Sequence, residues 1–316
     1  MFRGIYWGCL VFSTFLVVFG TAKLFERGQS GLGEKDDDLP LRDVQAKLEP
    51  LAKKLGKPRP GEWLAQHREP GQTFAEYFRA DPVRKSDQLG TIYICQIGDF
   101  SKEQKRVLEI TRDYMAHFFS VSVKLTKVVP LADIPGEAKR THPSWGDRQI
   151  LASYVLDQVL RPERPDDALA YLAFTSSDLW PGEGWNFVFG QANLRERVGV
   201  WSIYRNGDPS KDKAAFQLCL RRTLSTATHE TGHILTIKHC IAYDCNMNGS
   251  NNREESDSRP LHYCPVCMRK LLWNLQVEPI SYLGKLEGFC REQGLDDEAL
   301  WYHKAMQSLA SQPPKN

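Results

Sequence analysis

Thr228-His229-Glu230-Thr231-Gly232-His233-Ile234-Leu235-Thr236-Ile237-Lys238-His239-Cys240 is the stretch from which the rest of the chain can be read. On a helix, residues four apart stand one above the other, so His229 and His233 share a face and can converge on one metal ion. His239, six positions beyond His233, supplies a third imidazole. Three imidazoles leave the fourth position of a zinc ion open, which separates a catalytic zinc site from a closed structural one. Glu230, beside His229, is placed to take a proton from water at that position. Zinc brings the pKa of such a water towards ~7 and can polarise a carbonyl, a combination suited to amide hydrolysis.

The next residues point to a second metal. Cys240 and Cys245, then Cys264 and Cys267, follow the histidines at the spacing of a four-thiolate zinc clip. Such a site is tetrahedral and closed, so its role is structural. It would clamp a loop that has little apolar content of its own. Two disulfides are the alternative pairing, which an oxidising compartment favours. Cys9, Cys95, Cys219 and Cys290 share no ligand spacing and read as buried apolar fillers. Met247 comes eight residues after His239. A lone methionine is normally core filler, but here the spacing suggests the methionine of a Met-turn beneath the zinc. Tyr243 stands where it could reach substrate. His262 reads as a surface histidine, and His142 lies in a polar loop with no role assigned. Glu254, Glu255 and Asp257 read as a solvated loop face.

The 316 residues, 41% hydrophobic and 25% charged, suit one large or two modest globular domains. A net charge of +2 argues against nucleic acid or an anionic membrane as the main partner. No basic cluster surrounds the cysteines either. Residues 4–22 are uncharged and mostly apolar, which predicts a signal peptide or membrane anchor over 1–24 and a body that is secreted or membrane-anchored outside the cytosol. Residues 25–60 read as a linker or stalk with a short helix from Leu41 to Leu55, broken or restarted at Pro50. Lys57-Pro58-Arg59-Pro60-Gly61 closes that part off.

Beyond it, strands are expected at Thr91–Ile97, Val121–Val129, Ala168–Thr175 and in Phe187–Phe189 with Val198–Tyr204. Helices are expected from Ser101 to about Phe119, from Arg148 to Leu160 and from Lys213 to Thr236. Three more close the chain at Pro265–Leu275, Pro279–Gln293 and Asp296–Leu309. Alternating strands and helices predict an α/β (α+β) fold with a mixed, mainly parallel sheet covered by helices. An exposed strand near Arg197–Tyr204 could align an extended peptide by main-chain pairing.

The run His229-Glu230…His233…His239-Cys240…Cys245-Asn246-Met247…Cys264-Pro265-Val266-Cys267 resembles the archaemetzincins, a branch of the metzincin zinc peptidases. Trp185-Asn186-Phe187-Val188-Phe189-Gly190-Gln191-Ala192 and Arg259-Pro260-Leu261 resemble other stretches of that family. Gly61-Glu62-Trp63-Leu64 and Gly71-Gln72-Thr73-Phe74 resemble the N-terminal part of its animal members. The resemblance implies a metzincin fold with an active-site helix and a helical C-terminal part, and aminopeptidase-like or endopeptidase action on peptide or protein substrates. It also implies two zinc ions per chain. The peptidase domain is placed at 61–275, with helices of 276–316 packed on it. One residue departs from the family pattern: its glycine three positions after the second histidine is Thr236 here. A β-branched residue in the left-handed conformation is strained by roughly 1–2 kcal/mol. The alternative is therefore a weak or inactive domain that binds zinc and a peptide partner.

Overall fold

A computed structural model describes residues 39–311. The apolar segment 4–22, Cys9 and most of the acidic linker lie outside the described residues. Among the described residues, no helix is long and apolar enough to cross a membrane.

The first helix, α1 (Leu39–Leu48), runs into a 3-10 turn at Glu49–Leu51 that contains Pro50. Proline has no N–H to continue an α-helical ladder, so the helix tightens and stops there. Two short helices follow, α2 (Trp63–Gln66) and α3 (Phe74–Arg79). A capping box between Thr73 and Glu76 opens α3.

Next come β1 (Thr91–Ile97), α4 (Lys102–Phe119) and β2 (Ser122–Val129), with a second capping box, Ser101 with Gln104, opening α4. The chain continues through β3 (Lys139–Thr141), β4 (Arg148–Leu151), α5 (Ala152–Tyr154) and a π-helical turn at Val155–Leu160. It then forms β5 (Ala168–Thr175), β6 (Asp178–Trp180), β7 (Gly190–Asn193) and β8 (Val198–Ser202). The main sheet has the order β2-β1-β5-β8-β7 and is parallel except for β7. A smaller sheet has the order β3-β4-β6. All eight residues of β5 are buried, as expected of a strand covered on both faces.

Three expectations need correction. Arg148–Leu151 is a strand, and helical geometry begins only at Ala152. Gln149 is buried with its side chain bonded to Asp178, and the four residues pair with β3 and β6. One partner is the neighbouring antiparallel strand and the other begins 29 residues beyond Gln149, and together they override a short segment of mixed polarity that fits either period. The second correction concerns the strand offered for peptide alignment. β8 is interior and buried at all five positions, while the free edge belongs to β7. Phe187–Phe189 forms no strand, although Val188 makes a single bridge to Leu179.

The remaining elements are helical: α6 (Lys213–Ile234), α7 (Arg253–Asp257), α8 (Pro265–Leu275), α9 (Pro279–Glu292) and α10 (Asp296–Ala310). Asp212 caps α6 by accepting from the Ala215 N–H. α6 packs on α4 and on β7 and β8, so its histidines emerge beside the edge strand. α4 also packs on α9, and α9 on α10. α1 lies on α8 and α10, with Leu48 fully buried. Cys95, Cys219 and Cys290 are buried in the core, as expected of apolar fillers.

Candidate active site

α6 carries His229 and His233 one turn apart, and it must end quickly for His239 to return to them. The end is made at Thr236, whose φ of 69° is left-handed. The Thr236 N–H donates to the His233 carbonyl (2.8 Å) and the Ile237 N–H to the Gly232 carbonyl (3.0 Å), a glycine-type helix stop with threonine at the corner. The strain is met by contacts from the segment around α3. The Val83 N–H donates to Thr236 Oγ1 (3.2 Å), and Gln72 Nε2 donates to the Thr236 carbonyl (3.1 Å). Gln72 Oε1 accepts from the Lys238 N–H, and the buried Lys270 ammonium of α8 donates to the Gln72 carbonyl. The Tyr77 hydroxyl holds the Leu235 carbonyl at 3.0 Å.

The three imidazoles then converge, their candidate ligand atoms lying within 4.8 Å of one another. Each ring turns Nδ1 outward onto an oxygen. His229 donates to the Asn246 carbonyl (2.6 Å), His233 to the Ile237 carbonyl (2.7 Å) and His239 to Glu69 Oε1 (2.7 Å). A carbonyl can only accept, so those hydrogens sit on Nδ1 and Nε2 keeps its lone pair. The Nε2 atoms of His229 and His233 face each other at 3.0 Å. Two lone pairs that close repel unless a cation lies between them. Ligands on tetrahedral zinc at about 2.05 Å stand about 3.3 Å apart, so the arrangement fits that ion. Burial and the neighbouring His239 push His229 down to about 3, and burial with the adjoining imidazoles holds His233 well below its usual range. Burial alone would lift the Glu69 carboxyl, but the bond and charge of His239 outweigh it and hold it below normal. Glu230 shares a cleft with His229 and His239, and burial raises its carboxyl to about 7.

Cys240, Cys245, Cys264 and Cys267 form a second group, with sulfurs within 4.8 Å of one another. Cys240 Sγ and Cys264 Sγ are 3.6 Å apart, near the ~3.8 Å edge of a four-thiolate zinc site and far from the ~2.05 Å of a disulfide. Hydrogen bonds from Cys245, Cys264 and Cys267 pull the Cys240 thiol far down. Burial holds Cys245 high, and the hydrogen bond with Cys240 holds Cys267 high. Four converging sulfurs at this spacing fit one tetrahedral zinc ion.

Asn246 links the two groups. Its carbonyl accepts the hydrogen bond from His229 Nδ1 while its side chain bonds Ser225 and Thr228 on α6. Met247 is fully buried and its carbonyl accepts from the Cys240 N–H (2.7 Å). Gly232 lets it approach: a Cβ there would stand 2.7 Å from Met247 Sδ and 2.3 Å from the Tyr263 hydroxyl. That hydroxyl donates to the Thr228 carbonyl.

Several side chains differ from their sequence reading. Glu255 is buried and accepts from the N–H groups of Trp63 and Asn251 and from Arg259, so it is a brace rather than a solvated acid. Asp257 pairs with Arg222. His262 stacks on Trp301 with centroids 3.7 Å apart. His142 is buried and stacks on Trp145. Tyr243 bridges Lys54, and its carbonyl receives Asn248 Nδ2. Sequence reasoning missed Glu69, Gln72 and Asn246. Asn246, between Cys245 and Met247, and Gln72, in Gly71-Gln72-Thr73-Phe74, each stood within a family-like stretch; Glu69 had no such signal.

Residues 97–272 match the family model described as Peptidase family M54. The chain is similar to archaemetzincin-2 of Homo sapiens, 34% identical over 244 residues that are 67% of each chain. It is also similar to an archaemetzincin of Pyrococcus abyssi (strain GE5 / Orsay), 35% identical over 196 residues, 59% of this chain and 97% of that one. The crystal structure of an archaemetzincin from Methanopyrus kandleri covers 61% of this chain and 99% of its own, with a TM-score of 0.48 and 26% identity.

Proposed function

Because the chain belongs to peptidase family M54, the archaemetzincins, we propose that it hydrolyses peptide bonds at a zinc site formed by His229, His233 and His239, with Glu230 as general base and a second, structural zinc on Cys240, Cys245, Cys264 and Cys267. The observation that carries this reading is the direction of the imidazoles. Each has its Nδ1 hydrogen committed to an outer oxygen, which turns its Nε2 lone pair towards one shared point. When bound there, zinc would supply Lewis-acid polarisation of the scissile carbonyl and acidification of water.

The protein supplies the rest. Glu230, with its affinity for protons lifted by burial, takes a proton at neutral pH and returns it to the leaving amine. The free edge of β7 aligns an extended peptide by main-chain pairing, and Gly190 brings that edge into the cleft shared with His229 and Glu230. Met247, packed against Gly232 below the histidines, serves as the Met-turn methionine. The peptidase domain spans 61–275, and residues 4–22 direct it out of the cytosol. Carbonate extraction of a membrane fraction tests the latter: release of intact protein rules out a retained anchor.

The inactive alternative supposes that Thr236 displaces the third histidine. The braced left-handed Thr236 and the converging His239 give that supposition no support. The test is Glu230→Ala on the zinc-loaded chain. Metal analysis should give about two zinc per chain in both proteins, one for each ligand set. Cleavage of a peptide library should be lost in the variant, and equal cleavage by both would remove Glu230 from the mechanism.

A further inference from the structure

Arg253 opens α7 on the wall of the same cleft as His229 and Glu230. Its guanidinium lies 3.7 Å over the Phe189 ring and donates through Nη2 to Asn206 Oδ1. Asn206 is itself fixed, because it is buried, donates to Thr223 Oγ1 (3.0 Å) and accepts from Arg222 through its carbonyl. The arginine is therefore held from behind and from one face. Its Nε is buried with no partner, and no ion pair involves it among the described residues.

Asp257, Asp178 and Glu255 are committed to other partners. Asp257 is engaged by Arg222 through two nitrogens, at 2.9 and 2.5 Å. Asp178 is engaged by Arg205 in the same way, at 2.8 and 2.7 Å. Glu255 serves Trp63, Asn251 and Arg259. Burial and the charges of Arg222 and Arg205 disfavour the charged form and push Arg253 down to about 10, still protonated at neutral pH. A partly desolvated cation without a counter-ion is unfavourable unless an anion arrives to meet it. A planar fork on the wall of a cleft matches a carboxylate, which it can bind through two parallel hydrogen bonds.

We propose that Arg253 is a carboxylate-binding residue of the substrate cleft, selecting peptides that present an Asp or Glu side chain or a free C-terminal carboxylate beside the β7 edge. The inference rests on the peptidase reading. The experiment uses the zinc-loaded full chain and a quenched peptide library in which each position carries Asp or Glu against Asn or Gln, each peptide as the free acid and the C-terminal amide. At one position the acidic form should be cleaved with a kcat/KM about 10- to 100-fold higher than its neutral counterpart. Arg253→Gln should reduce that ratio to within about threefold, and Arg253→Lys, which keeps the charge but not the fork, should restore part of it. A preference that follows amidation identifies the terminal carboxylate, and one that follows Asp or Glu identifies the side chain. A ratio near one in the unaltered chain, or an unchanged ratio in Arg253→Gln, overturns the proposal.

The same acid and amide peptides, fluorescently labelled, are titrated with zinc-loaded Glu230→Gln and followed by anisotropy. No cleavage by the unaltered chain, with acid-selective binding retained here, would remove the peptidase reading and leave Arg253 in its role. Cleavage without acid selectivity would do the reverse, and the absence of both would overturn both.

Discussion

Replacing Thr236 in turn by serine, alanine and glycine separates two opposing contributions at the corner between the second and third histidines. The left-handed φ of 69° is strained in any residue with a Cβ, by about 1–2 kcal/mol. Against this, Oγ1 accepts from the Val83 N–H at 3.2 Å. Removing that acceptor leaves a partly buried donor unmet, at about 1–3 kcal/mol. Serine keeps both the strain and the acceptor, so its stability should lie within about 0.5 kcal/mol of the parent. Alanine keeps the strain and loses the acceptor, for a loss near 2 kcal/mol, or about 3 °C in a chain of this size. Glycine relieves the strain, loses the acceptor and adds about 0.5–1 kcal/mol of unfolded-chain entropy, for a net loss near 1 kcal/mol. The expected order is threonine and serine together, then glycine, then alanine. Thermal unfolding of zinc-loaded protein by circular dichroism, at matched zinc content, reads it directly. A glycine variant more stable than the parent by about 1 kcal/mol or more would refute the reasoning, because strain would then outweigh the Val83 bond.

Glu69→Ala should weaken zinc at the three histidines about 10- to 100-fold in competition with a chromophoric chelator, while the zinc on the four cysteines stays. Equal affinity would mean that His239 is oriented without its carboxylate. Gly232→Ala should destabilise by about 1–3 kcal/mol in urea unfolding, since the added carbon meets Tyr263 and Met247. A neutral result there would show that Met247 can move aside. Asp178→Ala removes the carboxylate that meets Arg205 and the Gln149 amide, leaving them Asp147 and the Asn186 carbonyl, and should lower stability by about 1.5–3 kcal/mol by denaturant midpoint.

What the sequence disclosed was whatever repeats or stands at fixed spacing. α6 has a long periodic run and two histidines four apart, so its place and its ligands could be read together. The cysteine pairs were equally plain, and α8 and α9 announced their starts with proline. The parallel character of the sheet followed from strands alternating with helices. Glu69 could not be found this way, because nothing near it is periodic and its partner is 170 residues later. Residues 246–260 looked like a solvated loop for a related reason. Their order comes from side chains bonding to backbone, as Asn248 does to the Cys240 carbonyl and Glu255 to the Trp63 N–H, and such bonds leave no repeat to detect. β4 failed differently, since four residues of mixed polarity fit two periods and the partner strands decided between them.

The segment around α3 carries a consequence for the order in which the molecule assembles. Glu69, Gln72, Tyr77 and Val83 leave the ribosome long before the residues they hold. His239 comes 170 positions after Glu69, Lys270 198 after Gln72 and Asn274 191 after Val83. Contacts at such separation require a large loop to close first, which makes them slow relative to helix formation. α6 can form, and its first two histidines can meet, while the corner at Thr236 still lacks its support. The third histidine takes its final orientation only after α8 has been synthesised and has docked. A nascent chain that lacks α8 therefore presents two imidazoles and an unfinished corner, so the three-histidine site is complete only once α8 is in place.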